Sequence, residues 1–288
     1  MKLIGLVAGI VSAGLTLGVV PAATAEEASD AKTRINLAGR QRMLSQKMAK
    51  ASCFALVDNS NFEHLSELKG ARETFEETLD GLVQGNQALS LNVEEHDNVL
   101  GALSDVAELW APFRAAVADI LGSGSVNEAQ LGVVSETNLP VLVRMNETVG
   151  IIEDTYSGGG DVDPVRGRTI NIAGRQRMLS QKMAKEFCMI AAGFNEVANR
   201  EALQSTMNQF ESALVNLITG QDGLEVPNPA IGSRLERVNK VYAGVKEAYA
   251  KTLAGDAPTA DDLGTVANQS NRILREMNQI VFAYSVVD

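Results

Sequence analysis

Apolar residues recur along this chain at spacings of three and four, with almost no strand-like alternation, and Ala, Leu, Glu, Lys and Gln fill the positions between. The pattern predicts an all-α protein. Gly, Pro and Asn clusters cut it into eight helices, at about 30–58, 62–86, 93–121 and 126–156, then 163–195, 199–220, 229–254 and 259–286. Cap chemistry supports several of these starts: Asn92 with Glu95, Thr259 with Asp262, and Asp163 before Pro164. Pro112 and Pro140 fall inside helices and are expected to kink them. Four helices of this length joined by short loops make an up-down bundle, so two tandem four-helix bundles are expected, end to end or side by side.

The two bundles are copies. Ile35–Lys50 recurs at Ile170–Lys185 with one change, Leu37 to Ile172. Thr74–Gly85 aligns with Gln209–Gly220 at the same offset of 135. After a shorter loop the offset becomes 132, pairing Leu103, Val106 and Trp110 with Leu235, Val238 and Tyr242, and Met145-Asn146 with Met277-Asn278. Each half reads as one folding unit. Upstream, Met1-Lys2, the apolar run Leu3–Val20 and Ala23-Thr24-Ala25 have the form of a secretory signal peptide, which points to export to the periplasm and cleavage before Glu26, with an uncleaved anchor as the second reading. The expected organisation is therefore a signal peptide at 1–25, a first bundle at 26–157 and a second at 158–288, joined at Ser157-Gly158-Gly159-Gly160.

Charge singles out the repeated segment. The chain carries a formal net charge of −11, which argues against nucleic acid or an anionic membrane as partner. Yet Lys32–Lys50 and Arg166–Lys185 hold twelve of the 25 Lys and Arg residues and no Asp or Glu. On a helix, Leu37, Gln41, Leu44, Met48, Ala51 and Ala55 form a seam facing the rest of their own bundle. A second stripe, Ile35, Ala38, Arg42, Ser45, Ala49 and Ser52 or Cys53, is made of small residues around one arginine. If the second copy packs on this stripe, Arg42 meets Arg177 near a pseudo-twofold axis. Two guanidiniums at about 5 Å repel by roughly 3 kcal/mol at an effective dielectric near 20, and a small planar oxyanion between them reverses the sign. Gly39 and Gly174 leave room for close approach, and Asn36, Gln41 and Gln46 with their copies Asn171, Gln176 and Gln181 add neutral hydrogen-bonding groups. Arg40, Lys47, Lys50, Arg175, Lys182 and Lys185 read as a solvated face.

The segment Ile-Asn-x-Ala-Gly-x-x-Arg-Met-x-Ser, present at Ile35–Ser45 and Ile170–Ser180, resembles the motif of the PilJ/NarX-like sensor domain of nitrate/nitrite sensor kinases and type IV pili methyl-accepting chemotaxis transducers. The resemblance implies a four-helix sensor bundle in each half. It also implies that the motif arginine, here Arg42 and Arg177, grips nitrate between paired helices, with Gly39 and Gly174 beside it. In the nitrate sensors the helix pairs with its twin across a homodimer; here the twin stands in the same chain. Arg40 and Arg175 depart from the small residue usual after the glycine.

Other chemistry is sparse. Cys53 and Cys188 occupy equivalent positions and read first as small buried apolar residues, with a bridge between the copies as the second reading. His64 and His96 have no counterparts in the second half and read as surface residues, and Glu94-Glu95 reads as an exposed helix start. No phosphate loop, catalytic triad or metal-ligand spacing is found, so neither an enzyme nor a cofactor or metal site is expected. Two readings result. One is a periplasmic sensory or binding protein for a small oxyanion, nitrate or nitrite foremost, working with a membrane-bound signalling or transport partner as a monomer with an internal pseudo-dimer or as a homodimer. The alternative is a ligand-free helical module that docks a pilus, chemotaxis or transport partner.

Overall fold

Helices form where the three-and-four periodicity runs, and they stop at residues that break it. A computed structural model describes residues 25–58 and 61–286. It contains α1 (Ala25–Val57), α2 (Asn61–Gln84), α3 (Asp97–Ser123), α4 (Glu128–Gly158), α5 (Pro164–Ala191), α6 (Glu196–Thr219), α7 (Pro229–Ala254) and α8 (Ala260–Val286). Apart from Ala25, the expected signal peptide lies outside the described residues. Among the described residues no helix is long and apolar enough to cross a membrane.

Caps explain most boundaries. Asp163 accepts from the Arg166 N–H at 3.0 Å ahead of Pro164, and Thr259 and Asp262 cap each other reciprocally. Asn127 and Gln130 form a further capping box at α4. Gly124 and Gly255 close α3 and α7 with φ of 68° and 111°, where a side chain would be strained. The expected cap at Asn92 is not formed. Its N–H donates to Asp30 Oδ1 and its carbonyl accepts from Arg34, so this stretch is held by α1 and α3 starts only at Asp97. Pro112 and Pro140 lie inside α3 and α4, and both helices continue past them.

The helices form two tandem four-helix bundles, α1–α4 and α5–α8, set side by side. Each bundle contributes its first helix to the shared centre. α1 packs on α2 and α4 of its own bundle, α5 on α6 and α8 of its own, and α1 and α5 pack most extensively on each other. The apolar side chains of both bundles form one contiguous core. Its middle is unusual, because α1 and α5 are the most polar of the helices by composition and yet the most completely buried. Small residues allow this close approach: Ala38, Ala49, Ala173 and Ala184 are fully buried. Further along, the sulfurs of Cys53 and Cys188 are joined across the pair, with Cα atoms 6.1 Å apart. The cysteines are thus buried, as read from the sequence, and also bridged, because the pseudo-twofold relation sets equivalent positions opposite each other.

Candidate functional site

α1 and α5 bring Arg42 and Arg177 together at the centre of the molecule. Their residues are 1% and 3% exposed. A Cβ built on Gly39 would stand 3.2 Å from Arg42 Nη2 and 3.5 Å from Arg177 Nη2. On Gly174 it would stand 3.1 Å from Arg177 Nη2 and 3.6 Å from Arg42 Nη2. Each glycine therefore makes room for both guanidiniums, and an alanine at either place would crowd them.

The hydrogen bonds repeat with the duplication. Arg42 donates through Nη1 to Asn146 Oδ1 at 2.9 Å and through Nη2 to Asn171 Oδ1 at 2.7 Å and the Asn171 carbonyl at 3.2 Å. Arg177 donates through Nη1 to Asn36 Oδ1 at 2.9 Å and Asn278 Oδ1 at 3.4 Å, and through Nη2 to the Asn36 carbonyl at 3.0 Å. All of these acceptors are neutral. Neither arginine forms an ion pair among the described residues, and the Nε of each is buried without a hydrogen-bond partner. Asn146 and Asn278 are exposed at their outer edges, so the buried pair lies next to solvent at two symmetry-related rims.

Electrostatics sharpen the anomaly. Burial first, then the neighbouring Arg175, push the Arg42 guanidinium down to about 9 against an opposing pull from Glu153. Burial, then Arg42 and Arg40, push Arg177 down to about 9 as well. Both remain protonated at neutral pH, so two like charges persist where water is largely excluded. Arg40 and Arg175 are half-buried rather than fully solvated, and each adds positive field to the partner copy's arginine.

Not every residue expected at the site is there. Gln46 donates to Asn138 Oδ1 at 3.1 Å and Gln181 to the Ser270 carbonyl at 3.1 Å, one turn beyond the arginines. Gln41 and Gln176 turn back into their own bundles, onto the carbonyls of Phe75 and Phe210. Asn146 and Asn278, which accept from the two arginines, carry no chemical signal in the sequence beyond the Met-Asn pair that survives in both halves.

The solvated-face reading fails at two lysines. Lys50 is 0% exposed and bonds Glu67 and Asn271 at 2.8 Å each. Lys185 is 4% exposed and meets only amide oxygens, Gln46 Oε1 at 3.0 Å and Asn138 Oδ1 at 3.4 Å. Both are buried because α4 and α8 close over the α1–α5 pair from opposite sides. Burial pushes Lys185 down to about 8, with Glu186 opposing and Lys182 adding to the shift.

A buried lock also occupies the first bundle's end. Arg34 bonds Asp30 at 2.6 Å and Glu94 at 2.9 Å, and Tyr156 and His96 bond the same Glu94. Glu94 is therefore interior rather than an exposed helix start, since Arg34 supplies its counter-charge. His64 is also mostly buried, between Phe54 and Asp58, while His96 keeps about half its surface.

The comparisons agree with this arrangement. The family model for the type IV pili methyl-accepting chemotaxis transducer N-terminal domain matches residues 23–136 and again 166–279. The chain is also similar to methyl-accepting chemotaxis protein McpN of Pseudomonas aeruginosa, 33% identical over 116 residues, or 39% of this chain and 21% of that protein. The chain thus matches only about a fifth of that relative's length. Each match takes in one copy of the arginine helix, and the chain belongs to the family of PilJ-type N-terminal domains of chemotaxis transducers, whose domain it carries twice.

Proposed function

We propose that this protein is a periplasmic, non-enzymatic sensory protein that captures a small planar oxyanion between α1 and α5, nitrate or nitrite being the leading candidates. One observation carries the reading: two fully buried guanidiniums, cradled by two glycines, face only neutral acceptors. Burying two like charges with no ion pair to either costs several kcal/mol, and a fold that needed only helix contact would place apolar groups there. An anion with several equivalent oxygens satisfies both forks at once and replaces mutual repulsion with two charge-assisted contacts. Gly39, Gly174, Asn36, Asn171, Asn146 and Asn278 shape the space; Gln46 and Gln181 support the helices that carry it. The oxyanion draws α1 and α5 into one arrangement, and the population shift is what a membrane-bound signalling or transport partner reads.

The docking alternative has no comparable observation in its favour, since nothing about a partner surface requires two buried arginines. Melting curves in a buffer free of strong anions test the reading. Nitrate or nitrite at 100 times its Kd should stabilise by about 2.7 kcal/mol and raise the melting temperature, with chloride and sulfate giving smaller shifts. Equal curves in all four salts would leave only the docking reading.

A further inference from the structure

The duplication is broken at one place beside the arginines. Glu153 on α4 is half-buried, and its Oε2 accepts from Asn171 Nδ2. Asn171 Oδ1 in turn accepts from Arg42 at 2.7 Å. With a carboxylate on its nitrogen, this amide has one way to stand, oxygen toward Arg42. In the other half, the position 132 residues on is Ser285, whose hydroxyl donates to the Val281 carbonyl of its own helix at 2.8 Å. Among the described residues, Asn36 has no carboxylate on its amide nitrogen. One of two near-identical arginine sites therefore carries an acid, and the other does not.

The surroundings of that acid disfavour its charge. Burial first holds the Glu153 carboxyl above the ordinary range, and Asp154 on its own helix adds to the shift. The Asn171 hydrogen bond, Arg168 from α5 and Arg42 from α1 oppose it without cancelling it. The hydrogen bond of Glu153 with the amide that faces Arg42 makes this acid a candidate site residue.

We infer that Glu153 is a positioning and charge-selecting residue of the anion site: it orients Asn171 and sets one negative charge beside Arg42, which disfavours dianions and moderates the hold on monoanions. The inference rests on the oxyanion reading above. Glu153→Gln keeps an acceptor for the Asn171 amide while removing the charge, so it isolates the electrostatic part. Calorimetric titration of both proteins with sodium nitrate and sodium sulfate at neutral pH is the test. Glu153→Gln should bind nitrate roughly threefold or more tightly than the unsubstituted protein, and its gain for sulfate should be larger because the repulsion scales with ligand charge. Its melting temperature in the absence of anion should be the same or higher. Identical affinities for both anions in the two proteins would overturn this inference alone. No binding by either protein would overturn the oxyanion reading and the inference with it, and a large fall in melting temperature would make Glu153 a structural counter-ion instead.

Discussion

Two lysines at equivalent positions of the repeat show how the same residue is used differently. Lys50 has Glu67 as a charged partner at 2.8 Å, whereas Lys185 has only amide oxygens. Lys50→Met would leave the nearly buried Glu67 without its main counter-charge and should cost about 3 kcal/mol in chemical denaturation. Lys185→Met removes a buried cation that no carboxylate bonds, and should cost less than about 1.5 kcal/mol at pH 7. The Lys185 ammonium is held near 8, below its ordinary 10.5, so between those values the unfolded chain binds more protons than the folded one. Stability from this group therefore rises as pH increases from about 8 toward 10.5, and denaturation midpoints of the unsubstituted protein should gain on those of Lys185→Met over that window. At this scale the sequence was a partial guide. The identity of the two copies singled out Arg42 and Arg177, because internal comparison shows which polar positions are held. It could not tell Lys50 and Lys185 from solvated cations, since their burial depends on α4 and α8, which lie far away in the chain.

The helix pair α1–α5 forms the centre of the molecule and carries both motif arginines. Most helix boundaries were legible because periodicity and caps are local; α3 starts later than expected because Asn92 is claimed by Arg34 and Asp30 from another helix, and α1 and α6 start earlier, at Ala25 and Glu196. What periodicity could not reveal is that the most polar helices occupy the centre. A polar helix ordinarily faces water, but here Arg42, Arg177, Lys50 and Lys185 bond amides of the other copy while Arg34, Gln41 and Gln176 are held within their own bundle. The Cys53–Cys188 bond pins this pair at one end, eleven residues beyond the motif arginines in each copy. Closing a loop of 135 residues removes much chain entropy from the unfolded state, so reduction or Cys53→Ser should lower stability by about 2–5 kcal/mol. The measurement is the melting temperature with and without dithiothreitol; no change would mean that packing alone holds the pair. The bond also restricts how α1 and α5 move. Sliding past each other is blocked near Cys53, which leaves changes in splay at the Asn36 and Asn171 end as the motion that the proposed anion would control.

In the whole molecule, the duplication sets two copies of the motif helix against each other within one chain. Because the two bundles lie side by side on one core, the arginines meet within a single chain, so the proposed anion site would be complete in each chain. Side-by-side packing was one of two arrangements open from the sequence; the offset of the repeat gives the fold of each half and says nothing of how halves dock. Stoichiometry follows directly from this arrangement. Isothermal titration of the 30.7 kDa chain with sodium nitrate, alongside Arg42→Ala and Arg177→Ala, tests the claim most directly. One anion per chain is expected, with each substitution weakening binding by about 2 kcal/mol or more. Saturable binding that survives in the doubly substituted protein, or one anion per two chains, would contradict it.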